Sequence, residues 1–132
     1  MNRWTVAWDH NKETIGTEQE LRQKLWELRT GEDPTLILEH KSGDQLFVTV
    51  KGSYAGLSFR PALWGKPSLT ASTDPRFRAD PESESDWFEF SVGGTPTPVP
   101  KDRCIPFETG VEVVIHYFRH ESLPDTIAWV EE

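Results

Sequence analysis

Hydrophobic and polar residues alternate at the start of the chain: Trp4, Val6 and Trp8 fall on one side of an extended segment, with Arg3, Thr5 and Ala7 on the other. That pattern predicts an opening strand. The period then changes, with Leu21, Leu25 and Leu28 recurring at helical spacing and Trp26 widening the stripe. Thr17 and Glu20 match a capping box and Gly31 offers a stop, so a first helix is expected from about Glu18 to Thr30. Thr35–His40 and Gln45–Lys51 are rich in Leu, Ile, Val, Phe and Thr around a Lys41-Ser42-Gly43-Asp44 turn, which predicts a hairpin. Tyr54–Arg60 supplies a third strand through Leu57 and Phe59.

Between Pro61 and Asp86 the periodicity breaks down, with Pro61, Pro67, Pro75 and Pro81 set among Ser, Thr, Gly and charged residues. The stretch reads as a long loop, or as one containing a short hidden element, with Trp64, Leu69 and Phe77 available to fasten it. Trp87–Val92 reads as a strand again. Gly93-Gly94 turns it into Thr95–Pro100, where alternate prolines place the segment at a sheet edge or outside the sheet. Pro106 suits a first helical turn, and Phe107, Val111, Val114, Ile115 and Phe118 mark a helical face. Val111, Val113, Ile115 and Tyr117 also alternate as a β-branched strand would, and periodicity leaves both readings open. Thr126–Val130 fits a closing strand. The elements sum to an α+β fold, an antiparallel β-sheet packed against two main α-helices.

At 132 residues the chain is the size of one ordinary domain, with enough apolar and aromatic surface to form a core. Trp4, Trp8, Trp26 and Trp129 are assigned to that core. Residues 1–20 carry Asp9, Lys12, Glu13, Glu18 and Glu20 where a leader would have an apolar run, and no stretch approaches the roughly 20 apolar residues of a membrane span. A cytoplasmic protein is expected, without membrane contact. Cys104, the single cysteine, excludes an internal disulfide and a cysteine-based zinc site, and is expected to pack.

Charge is distributed unevenly. From Asp80 to Glu132 there are twelve acidic residues against Lys101, Arg103 and Arg119, a balance of -9, whereas residues 1–79 sum to +1. Such a half repels nucleic acid and attracts a basic partner. His116 and His120 stand one helical turn apart below Glu112, but without an HExxH order or a compact third ligand a solvated helix face is the simpler reading. Glu82, Glu84, Asp86 and Glu89 offer carboxylates without a defined pair, and nucleophile-elbow, phosphate-loop and dinucleotide motifs are absent. No catalytic residue and no cofactor is assigned. The carboxylates instead flank Trp87 and Phe88, a combination of apolar anchor and charged rim that suits a protein interface, the anchor being whichever aromatic faces outward.

The order Trp87-Phe88-Glu89-Phe90, Gly93-Gly94, Ile105-Pro106-Phe107-Glu108, Tyr117-Phe118, Leu123-Pro124 and Ile127-Ala128-Trp129 resembles the carboxy-terminal half of the Imm1 family of bacterial immunity proteins, carried in polymorphic toxin systems. The amino-terminal strand, helix and hairpin follow the same family loosely. A glycine expected shortly before Leu123-Pro124 is replaced by the neighbourhood of Glu121 and Ser122. The resemblance implies a helix over Phe107–Phe118 and no enzymatic activity. It also implies a cognate toxin as partner, often a nucleic-acid deaminase with a basic cleft, with Glu82, Glu84, Asp86, Trp87 and Glu89 as candidate contacts. The other readings are an acidic adaptor or regulatory domain that binds a different basic protein, and a small hydrolase.

Overall fold

A computed structural model describes residues 4–8, 11–29, 35–92 and 95–132. The opening alternation forms β1 (Trp4–Trp8), which pairs antiparallel with β2 (Asn11–Ile15) in the register Trp4 to Ile15. β2 escaped the sequence reading because Asn11, Lys12, Glu13 and Thr14 are all exposed and only Ile15 is buried. Polarity of this kind is what an edge strand carries to discourage further pairing. Helix α1 (Glu18–Glu27) starts where expected, with Glu20 N–H donating to Thr17 Oγ1 at 3.2 Å. The second half of the box differs, since the Glu20 carboxylate accepts from the Thr17 hydroxyl at 3.0 Å. The helix also ends early, in a turn closed by Leu28 N–H to Leu25 O and Arg29 N–H to Trp26 O; Thr30 and Gly31 lie outside the described residues.

β3 (Thr35–His40), β4 (Gln45–Lys51) and β5 (Tyr54–Arg60) form the expected meander. The irregular 61–86 stretch contains β6 (Leu69–Ser72), which pairs with β5, and one turn of 3-10 helix over Glu84–Asp86. Its Trp64 is 97% exposed and fastens nothing, contrary to expectation. Among the described residues, β7 (Trp87–Val92) and β8 (Thr95–Pro100) pair only with each other, as a separate two-stranded sheet. β9 (Ile105–Pro106) adds two residues beside β5 and leads into α2 (Phe107–His120), and β10 (Ala128–Glu131) closes the chain against β6. The large sheet therefore runs β10-β6-β5-β4-β3-β1-β2 and is antiparallel throughout.

Val6, Leu38, Leu46 and Leu36, Val48, Leu57 line up in register on one face of this sheet and are buried beneath the helices with Leu21, Leu25 and Val114. The rival strand reading of α2 has a physical origin. Val111, Val113, Ile115 and Tyr117 are all buried because the helix is covered on more than one side, so its apolar stripe is too wide to show a single period. Gly110 permits its close approach to the sheet, since a Cβ there would stand 3.0 Å from Ala55 Cβ. Arg22 to Glu112 at 2.9 Å and Arg119 to Glu18 at 2.6 Å tie α2 to α1. Trp26 departs from its core assignment: it is 49% exposed, its ring edge-on to Phe107 at 5.1 Å.

α2 ends on Glu121 in the left-handed region at φ 57°, the position that glycine usually fills. A side chain there costs about 1 kcal/mol or slightly more. The Glu121 carboxylate lies 2.6 Å from His40 Nε2, which joins the helix end to β3. The missing glycine of the sequence pattern is therefore replaced by a residue that makes a cross-link glycine cannot make.

Candidate partner interface

The β7–β8 hairpin lies on the sheet face away from the helices. Ala55 and Leu57 face the helical core, so Gly56 between them faces the other way, and a Cβ on Gly56 would stand 3.2 Å from Phe90 Cε2. Phe90, 2% exposed, fills that space, and Lys51 Nζ donates to the Glu89 carbonyl. Because the Glu89 carbonyl turns toward Lys51, the backbone groups β7 offers to β8 come from Phe88 and Phe90, opposite Val99 and Thr97. Pro96 and Pro98 thus have their carbonyls on the outer edge of β8, where neither has an N–H, and the Pro100 carbonyl accepts from the Cys104 thiol.

Before this hairpin the acidic segment is held in a fixed shape. Asp80 Oδ1 accepts from Glu82 N–H at 2.9 Å, Asp80 O accepts from Ser83 N–H at 3.1 Å, and Asp86 Oδ2 accepts from Asp80 N–H at 3.0 Å. The Asp80 amide and Lys101, 3.3 Å away, hold the Asp86 carboxyl below the usual carboxylate range. The Trp87 indole N–H donates to Asp80 O at 2.9 Å. Of the five residues singled out from sequence, Asp86 and Trp87 are half-buried parts of this scaffold, whereas Glu82, Glu84 and Glu89 are exposed.

Phe88 is the more exposed of the two aromatics, and it shares the strand face of Phe90. It is 40% exposed and lies against Tyr54, itself 42% exposed, with ring centroids 5.4 Å apart. Tyr54 pairs with Pro106, and the next residue, Phe107, donates its N–H to Ser53 O and bears Trp26. Tyr54 and Phe88 thus stand together beside the turn between β4 and β5, and exposed Trp26 lies beyond Phe107. Sequence reasoning passed over Tyr54 and Trp26; the one available signal was that Tyr54 follows the Gly52-Ser53 turn, where side chains are exposed.

The histidine row has another use. Glu112 is engaged by Arg22, which lowers its pKa, and the His116 and His120 rings lie 4.5 Å apart. Among the described residues no group of three His, Cys, Asp or Glu is placed to hold a metal ion, and no helix is long and apolar enough to cross a membrane. Cys104 is buried, and burial together with the Asp102 charge pushes its thiol up to about 11. The thiol is therefore protonated at neutral pH, and alkylation by iodoacetamide at pH 8 should be at least ten-fold slower in the native chain than in denaturant, as mass spectrometry would read it. Since the folded value is raised, this group's contribution is intact below the unfolded thiol value and is lost as pH rises from about 9 to about 11.

No curated protein matches the chain. Comparison with known families matches it to Immunity protein Imm1 over residues 9–131, nearly its whole length, and the chain accordingly belongs to the Imm1 family of immunity proteins, whose partner is a toxin.

Proposed function

We propose that the chain neutralises a cognate nucleic-acid deaminase in the cytoplasm by covering its basic substrate cleft, with Glu82, Glu84 and Glu89 as the charged rim and Phe88 and Tyr54 as the apolar centre. The observation that carries this reading is the exposure of Phe88 against Tyr54 on a hairpin anchored to the sheet by Phe90. Charge of this sign accelerates encounter with a basic cleft, and desolvated aromatic contacts slow release. Asp86 and Trp87 serve the interface indirectly, by fixing the shape of the segment that presents the two outer glutamates. On this reading no residue performs chemistry.

The test is a titration of the purified chain into the toxin encoded beside it, following deamination of a single-stranded nucleic acid. Activity is expected to fall linearly to zero at one equivalent. A bound toxin that keeps full activity on its nucleic acid would remove occlusion as the mechanism, and a toxin of another chemistry that is inhibited would replace the deaminase.

A further inference from the structure

The loop that follows β5 turns its apolar residues to solvent. Leu63 is 64% and Trp64 97% exposed, the two most exposed large apolar side chains among the described residues. The backbone that carries them is nevertheless closely held. Lys66 N–H donates to Leu63 O at 3.3 Å, which closes a four-residue turn, and Gly65 within it stands at φ 89°, the glycine position of a type II turn. At its base Ala62 N–H donates to Asp44 Oδ1 at 2.7 Å, and a Cβ on Gly43 would stand 3.0 Å from Ala62 Cβ. The turn is therefore seated on the one that joins β3 to β4, and the Trp64 side chain takes part in none of these contacts.

A tryptophan held in water on a fixed turn has the character of an interface anchor, because tryptophan is among the residues that dominate binding energy once a pocket encloses them. Its surroundings select the pocket. Residues 60–66 carry Arg60 and Lys66 and no acid, a sign opposite to that of the acidic segment, so this turn does not suit the basic cleft assigned to that segment. Tyr54 and Arg60 stand at the two ends of β5, about 20 Å apart, which keeps the turn away from the Tyr54 and Phe88 contact. A second copy apposed through the same patch would set Lys66 near its own counterpart, between two chains of net charge -8, and an anionic bilayer would meet that same net charge. We infer that Trp64, with Leu63 beside it, inserts into an apolar pocket on the toxin outside its substrate cleft, a pocket whose rim offers carboxylates to Lys66. The inference rests on the toxin-binding reading and adds to it a contact that holds the toxin without covering its cleft.

The experiment compares the wild-type chain with Trp64→Ser in toxin affinity, in inhibition at saturation and in thermal unfolding. Binding about 30-fold weaker is expected, mainly through faster dissociation, with an unchanged Tm and with full inhibition still reached once the variant is in excess. An affinity unchanged within about two-fold overturns the inference, and so does inhibition that stays incomplete at saturation, which would put Trp64 inside the cleft. Should the variant unfold early, hydroxyl-radical oxidation of Trp64 in the wild-type chain, read by mass spectrometry, decides: suppression in the toxin complex supports the contact, and unchanged oxidation overturns it. Sedimentation of the wild-type chain alone and with phosphatidylserine vesicles tests the other occupants, and Trp64-dependent self-association or vesicle binding with toxin affinity unmoved overturns it as well. A wild-type chain that fails to bind the toxin removes the toxin reading itself, and this inference with it.

Discussion

Replacing Glu82, Glu84 and Glu89 together by lysine is expected to slow association with the toxin by about ten-fold or more at low salt, with little change in dissociation. All three side chains are exposed, so the fold should keep its Tm within a few degrees. The effect should fade with ionic strength, because the screening length falls from about 30 Å at 0.01 M to about 8 Å at 0.15 M. Stopped-flow binding across that range is the measurement, and an unchanged association rate at 0.01 M would remove the acidic segment from the interface. Asp86 is left out on purpose. Its carboxylate binds the Asp80 amide and Lys101, so Asp86→Lys would distort the segment and confound loss of charge with loss of shape.

Phe90→Ala should have the largest effect on stability. A fully buried phenylalanine truncated to alanine costs about 3–5 kcal/mol, and here the lost ring is what seats the hairpin on Gly56. Much of the cost should appear locally, because β7 and β8 pair with no other strand among the described residues. Hydrogen exchange is expected to lose protection across the hairpin while β3, β4 and β5 keep theirs, and toxin affinity should collapse in parallel. A variant that loses less than about 1 kcal/mol in urea unfolding, with the hairpin still protected, would show that Phe90 is not the anchor.

These two outcomes bear on which parts of the molecule could be read from sequence. β3, β4 and β5 were legible because each pairs with its neighbour in the chain through a short turn, so pattern and partner are local. β2 and β6 were not: β2 is polar as an edge strand must be, and the buried positions of β6 are Thr70, Ala71 and Ser72, which lack the large apolar residues that mark a strand. Docking of the hairpin was invisible for a different reason. Gly56 reads as a residue that weakens a strand, and only the ring of Phe90, 34 positions away, gives the missing side chain its purpose. The candidate site was half legible. Composition located the acidic segment, but it could not separate Glu82, Glu84 and Glu89 from Asp86, whose carboxylate is spent on the backbone, or Phe88 from Trp87.

The proline-bearing edge of β8 bears on how such a protein diversifies. A partner cannot extend this hairpin by strand addition there, since no proline on that edge can donate a hydrogen bond. Recognition at that edge is left to side chains, and the ladder beneath them does not depend on their identity. The exposed side chains of the hairpin, Phe88 and Glu89 among them, contribute nothing to that ladder's hydrogen bonds, so exchanging them would leave the scaffold standing.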